Sequence, residues 1–215
     1  HYSKKVSSIT GSKKNIYNHG ALSLDGINEM KLPDWSYVCQ KFYIPHKNFV
    51  LATFHPETIG LAKNKVYANV VFESLKKIGK DTNIVITLPN ADAAGDLYRS
   101  SMIKLSELYP KKISIVENFG RENYFSAMKH ASMMIGNTSS GILESASFKK
   151  YVINVGDRQK GRLKNKNVFD VPFSEDNIIQ KYNSIKKLAE YSGKNIFFKK
   201  NTAEKIIETI KNYVI

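Results

Sequence analysis

The sequence predicts an α/β fold, a parallel sheet flanked by helices. The first observation behind this is an alternation, from about residue 48 onward, of short apolar runs with segments of helical period. The second is that small and polar residues cluster directly after the apolar runs, where parallel sheets carry their ligand loops. The third is that 42% hydrophobic residues in 215 are enough to cover both faces of such a sheet.

The elements follow in order. Residues 48–54 read as a strand, and residues 59–78 as a helix stopped by Gly79. Within that helix Val66, Val70, Phe72, Leu75 and Ile78 form an apolar stripe, with Lys65, Glu73, Lys76 and Lys77 off it. Residues 83–88 are a strand, 95–108 a helix ended by Tyr109-Pro110, 112–117 a strand and 122–130 a helix. Ala131 to Ile135 is a short buried strand ending at Gly136, a helix starts at Gly141 and runs to Phe148, and Tyr151 to Val155 is a strand. Repeated strand-helix-strand units require parallel pairing, because each crossover returns the chain to the same end of the sheet. This is a Rossmann-like layer structure.

Asn201 as cap and Glu204 three residues later open a closing helix with Ile206, Ile207, Ile210 and Val214 on one face. Residues 1–47 differ in character. They read as a short helix ending near Gly11, a strand over residues 15–18 and a loop through Pro33, Trp35 and Pro45. The expected division is therefore a hinge segment, 1–47, and a Rossmann-like domain, 48–215.

The formal charge of +14 and isoelectric point near 9.6 invite a nucleic-acid reading. Lysines supply most of that charge, however, in scattered pairs such as Lys76-Lys77, Lys111-Lys112, Lys149-Lys150, Lys186-Lys187 and Lys199-Lys200. That is the pattern of solvated helix faces and loop ends, so no nucleic-acid partner is expected. Cys39 is the single cysteine, which leaves no internal disulfide and favours a reducing compartment. No apolar run approaches the ~20 residues of a membrane-spanning helix, and the start lacks the pattern of a signal peptide. The reading is a soluble, cytoplasmic protein with no metal or other cofactor, since no ligand cluster has metal spacing.

Four loops fall at the carboxyl ends of predicted strands: His55 after residues 51–54, Asn90 after 85–88, Phe119 after 113–117, and the turn Gly136-Asn137-Thr138-Ser139-Ser140-Gly141 after 133–135. Unrelated surface residues would not all gather at one edge. In the turn, N–H groups at a helix start and the hydroxyls of Thr138, Ser139 and Ser140 suit a phosphate, and Gly141 lets a ligand approach the backbone. Glu144 lies one turn on, placed to accept from ribose hydroxyls. Arg158 follows the next strand with no local structural role and brings a full charge to the same rim. A plainer reading stands beside this one, because Asn, Thr and Ser also cap helices without any ligand. Asn90 and Asp92 similarly serve as turn formers, and Phe119 either stacks on a base or packs under the next helix. Lys160 and Arg162 rank below Arg158.

The string from Gly136 to Arg162, with Gly156-Asp157-Arg158-Gln159-Lys160-Gly161-Arg162 its most specific part, resembles the UDP-binding segment of the hydrolysing UDP-N-acetylglucosamine 2-epimerases of sialic and related nonulosonic acid biosynthesis. Residues 17–25, Thr53-Phe54-His55-Pro56-Glu57-Thr58 and Leu88-Pro89-Asn90-Ala91-Asp92 resemble three further segments of that family, in the same order. Two departures stand out: Lys149-Lys150-Tyr151 replaces a Gly-x-Pro turn, and Thr138 stands where serine is common.

The resemblance implies the C-terminal half of a two-domain GT-B-like fold, the catalytic carboxylates belonging to the other half. It implies elimination of UDP from UDP-N-acetylglucosamine, then hydration to N-acetylmannosamine, by a full-length homo-oligomer. It makes His55 a catalytic group that binds the pyrophosphate and stabilises departing UDP, by hydrogen bonding or as an imidazolium. His55, Asn90, Phe119, Thr138, Ser139, Ser140, Gly141, Glu144 and Arg158 become the contacts to UDP or a UDP-N-acetylhexosamine. The chain alone is then expected to bind UDP weakly without turnover. A UDP-2,4-diacetamido-2,4,6-trideoxyhexose as substrate, or a UDP-sugar-dependent GT-B glycosyltransferase, are the alternatives.

Overall fold

A computed structural model describes residues 1–45, 47–58, 60–89 and 94–214. In chain order its helices and strands are α1 (Tyr2–Thr10), α2 (Trp35–Phe42), β1 (Phe49–Thr53), α3 (Asn64–Gly79), β2 (Asn83–Thr87), α4 (Gly95–Leu108), β3 (Ile113–Val116) and α5 (Arg121–His130). They continue with β4 (Met133–Gly136), α6 (Ser139–Leu143), β5 (Val152–Val155), β6 (Val168–Val171), α7 (Glu175–Ile185) and α8 (Thr202–Val214). The chain divides into two compact units, residues 31–194 and residues 1–30 with 195–215.

In the larger unit six strands form one sheet in the order β3-β2-β1-β4-β5-β6, every neighbouring pair parallel. The apolar run Phe49-Val50-Leu51-Ala52 is buried on both faces, as a central parallel strand demands. β3 and β6 at the edges are only partly covered. The order reverses between β1 and β4. From β1 the chain builds outward through β2 and β3, then returns to build outward on the other side, which opens a crevice at the carboxyl ends of β1 and β4.

Helix α3 buries Ala68, Val71, Leu75 and Ile78 against the sheet, at the three- and four-residue spacing of one face. The expected stripe was partly misplaced, since Val66 is exposed and Val71 takes the inward position. Burial of Leu75 contributes roughly 1.5–3 kcal/mol to this packing.

Residues 35–42, expected as loop, are helix α2, whose Trp35 stacks on Phe49 with ring centroids 4.8 Å apart. The strand β6 and helix α7 were not anticipated. Helix α7 starts at Ser174, whose Oγ accepts the Asn177 N–H, with Glu175 and Asp176 favouring its first turn. Lys150 also departs from expectation. It is buried, not solvated, and donates to Glu190 at 2.8 Å, which draws the Glu190 carboxyl below its usual range.

In the smaller unit α1 ends at Gly11 as expected, while residues 15–18 form turn and coil instead of a strand. Asn201 donates to Glu204 at the start of α8, and Thr202 N–H donates to Asp25 at 2.8 Å. Ile207 and Ile210, expected on the apolar face of α8, are more than half exposed.

Candidate functional site

The loops after β1 and β4 meet at the reversal of strand order, and Asn137 joins them. Its backbone N–H donates to the Thr53 carbonyl at 3.1 Å. Its side chain then continues the pairing, Oδ1 accepting the His55 N–H and Nδ2 donating to the His55 carbonyl, each at 2.8 Å. One fully buried side chain therefore adds a rung to the ladder beyond its last backbone bond. Gly136 makes the approach feasible. It pairs with Thr53, has φ +156°, and a Cβ there would lie 1.9 Å from the Thr53 carbonyl oxygen.

The loop after β5 is tied to the same point. The Asn137 carbonyl accepts from Arg158 Nη1 at 3.2 Å and from Gln159 Nε2 at 2.8 Å. Arg158 does have a structural partner, contrary to expectation, and the contact places its exposed guanidinium beside the start of the Thr138 turn. Below it Glu57 Oε1 accepts the N–H of Asp157 at 2.6 Å and of Arg158 at 3.1 Å. Glu57 is 9% exposed and is itself fixed by Asn64, which accepts the Glu57 N–H and donates to its carbonyl, both at 2.9 Å. Gly156 leaves room for that carboxylate: its φ is +79°, and a Cβ would stand 2.5 Å from Glu57 Oε1.

The turn itself bears on the choice between a capped helix and an anion site. Thr138 is the N-cap of α6, yet its side chain makes no cap hydrogen bond among the described residues. Its Oγ1 lies 3.3 Å from Ser140 Oγ, which lies 2.9 Å from the Tyr124 hydroxyl. The first-turn N–H groups of a helix have no acceptor within the helix, so the turn offers donors and hydroxyls in one place. Helix α6 is a short piece, passing into a 3-10 turn over Ser145–Phe148. Gly141 is buried, and a Cβ on it would meet Val152 at 3.1 Å, so its missing side chain also serves packing on β5.

Among the remaining expected residues, His55 is 8% exposed and Glu144 6%. Phe119 is 4% exposed and packs edge-on to Phe42 with centroids 4.8 Å apart. Lys160 faces solvent and pairs with Asp157. Asn90 and Asp92 lie outside the described residues. Burial raises the Tyr124 phenol above its ordinary value, hydrogen bonds to Ser140 and Thr53 opposing the shift. Burial likewise raises Tyr98, with the Glu57 carboxylate adding to it. Among the described residues no three His, Cys, Asp or Glu side chains are grouped to hold a metal, and no helix is long and apolar enough to cross a membrane.

An open parallel sheet whose polar loops gather at the reversal of strand order defines an α/β domain of the Rossmann-like, ligand-binding class. The chain belongs to the UDP-N-acetylglucosamine 2-epimerase family, whose model matches residues 1–211. It is 32% identical over 170 residues to a GDP/UDP-N,N'-diacetylbacillosamine 2-epimerase (hydrolyzing) of Campylobacter jejuni, covering 79% of this chain and 44% of that protein. Polysialic acid biosynthesis protein P7 of Escherichia coli is 26% identical over 218 residues, 99% of this chain and 55% of the relative. The chain thus spans about half the length of the curated relatives it matches. In fold it is similar to the UDP-GlcNAc 2-epimerase of Methanocaldococcus jannaschii, solved in complex with UDP-GlcNAc and UDP. There the TM-score is 0.74 at 16% identity, over 97% of this chain and 58% of that one. The architecture is that of the GT-B-like epimerases.

Proposed function

We propose that residues 48–215 form the UDP-binding domain of a hydrolysing UDP-sugar 2-epimerase, led into by the segment 1–47. The supporting observation is the convergence of the His55 loop, the hydroxyl turn and the Arg158 loop on one residue, Asn137. In this reading the diphosphate lies against the N–H groups and hydroxyls of residues 138–141, with the Arg158 guanidinium across from them. His55 borders the same edge and stabilises charge on the leaving phosphate. Glu144 meets the ribose, Phe119 borders the base, and Asn90 is a further contact to the ligand. Loss of UDP across C1 and C2 of the sugar gives a glycal, and addition of water at C1 with a proton at C2 gives the epimerised free sugar. The base and acid for C2 are carboxylates outside this chain, so the chain by itself turns nothing over.

The relative of highest identity reported above is named for a diacetamido sugar, and this favours a 2,4-diacetamido UDP-sugar as a second substrate reading beside UDP-N-acetylglucosamine. The family match over residues 1–211 weighs against a glycosyltransferase. The same reading expects a cytoplasmic homo-oligomer.

Calorimetric titration of UDP, with UMP and pyrophosphate as comparisons, tests the proposal. UDP binds more tightly than UMP, and Arg158→Ala weakens UDP by about 1.5–3 kcal/mol, the range for charge-assisted hydrogen bonds. Equal binding of UDP and UMP, with no effect of Arg158→Ala, would remove the diphosphate clamp from the account.

A further inference from the structure

Two buried asparagine amides hold the loop after β1. His55 pairs both its N–H and its carbonyl with the Asn137 side chain, and Glu57 pairs both of its own with the Asn64 side chain. Pro56 between them has no N–H. The backbone of residues 55–57 is therefore left with no donor for an anion, and this loop can meet one only with a side chain.

Asn64 is fully buried, and its amide is used to capacity. Oδ1 accepts the Glu57 N–H at 2.9 Å and, in a longer contact of 3.4 Å, the Tyr98 hydroxyl. Nδ2 donates to the Glu57 carbonyl at 2.9 Å and to the Leu61 carbonyl at 3.2 Å. Exchanging the oxygen and the nitrogen would set donors against donors and acceptors against acceptors, so the amide has one orientation. Capping is not its task. Asn64 is the first residue of α3, the cap position belongs to Lys63, and among the described residues Oδ1 takes no N–H from α3 itself. The amide is turned instead to the loop after β1 and to Tyr98 in α4, the helix that follows the Asn90 segment.

The residue held in this way reaches on with its carboxylate, which accepts the N–H groups of Asp157 and Arg158. Position passes from Asn64 to the Glu57 backbone, from the Glu57 carboxylate to the turn at 157–158, and from that turn to the Arg158 guanidinium at the Asn137 carbonyl. Asn64 is closed to solvent, so water does not stand in for a partner lost there. We propose that Asn64 is a positioning residue for diphosphate binding, setting the Arg158 loop in place before the ligand arrives. This rests on the nucleotide reading of the site. An arm placed in advance gives up less freedom when it binds.

The test is a double-mutant cycle on the wild-type protein, Asn64→Ser, Arg158→Ala and the double variant, titrated with UDP and with UMP and each checked for folding by its thermal transition. Serine is too short to reach both backbone groups of Glu57. Asn64→Ser weakens UDP about three- to tenfold with UMP unchanged, and adds no loss to Arg158→Ala. A merely structural role would lower the folded fraction, weaken both nucleotides alike and persist beside Arg158→Ala. That pattern, or wild-type UDP affinity in a folded Asn64→Ser, overturns the role of Asn64 and leaves the nucleotide site standing. Should Asn64→Ser not fold, amide hydrogen exchange of the free wild-type protein decides. The N–H groups of Glu57, Asp157 and Arg158 are protected before UDP is added, and exchange at the rate of an open chain overturns the role. Absence of UDP binding by the wild-type protein overturns the nucleotide reading and this role with it.

Discussion

Replacing Glu57 by Gln removes a charge while keeping an acceptor of the same shape, and its consequence can be worked from two distances. Glu57 Oε1 accepts from Asp157 N–H at 2.6 Å and Arg158 N–H at 3.1 Å. Hydrogen bonds to a charged group contribute about 1.5–3 kcal/mol and neutral ones about 0.5–1.5, so the pair loses about 2–3 kcal/mol when the charge goes. Asp157 and Arg158 are exposed residues, and water can relieve part of the loss at their end of the turn. The expected net cost is about 1–2 kcal/mol, or about 2–8 °C in Tm for a chain of this size. Because the same turn holds Arg158 over Asn137, UDP affinity falls as well, by about threefold to tenfold. Urea unfolding and UDP calorimetry on Glu57→Gln measure the two effects. A variant as stable as the wild type, with unchanged UDP affinity, would refute the claim that this carboxylate holds the Arg158 loop.

Gly136→Ala places a methyl 1.9 Å from the Thr53 carbonyl oxygen, a backbone atom of the central strand. Its expected outcome is loss of soluble folded protein or a destabilisation beyond about 3 kcal/mol; an unchanged thermal transition would contradict the register of β1 against β4. The tyrosines set a response to alkali. Tyr98 and Tyr124 both have raised values in the folded chain, so above about pH 10 the unfolded chain binds fewer protons than the folded one. Unfolding free energy is therefore level below that pH and declines as pH rises through it. Urea midpoints measured between pH 8 and 11 should show the decline, and Tyr98→Phe should reduce its slope.

The sheet was legible because its central strands are apolar runs bounded by turn residues, and Gly95–Leu108 has the same bounds in sequence and structure. Strand β6 was not, because an edge strand of Val168-Phe169-Asp170-Val171 is covered too unevenly to leave a run or a clean alternation. Helix α2 was hidden by the prolines on either side of it, although Asp34 before Trp35 was a usable start signal. At the site the outward-facing chemistry, hydroxyls and arginine, was visible as residue types. The residues that hold it in place were not. Asn137 reads as a helix cap until its partners across 82 positions are seen, and Glu57 reads as part of a motif until the N–H groups of residues 157 and 158 close on it. Such partnerships depend on strand order, which neither periodicity nor spacing encodes.

The turn after β4 divides into a half that cannot vary and a half that can. Gly136 is fixed by the carbonyl beside it and Asn137 by five hydrogen bonds through its two amide groups, to the strand end at Thr53, twice to His55, and from Arg158 and Gln159. Thr138, by contrast, caps the following helix with its backbone alone. The Thr138 side chain can therefore be exchanged without unfolding the domain, and on the proposed reading of the turn as a diphosphate site the scaffold permits one architecture to be retuned to differently decorated anions at that position.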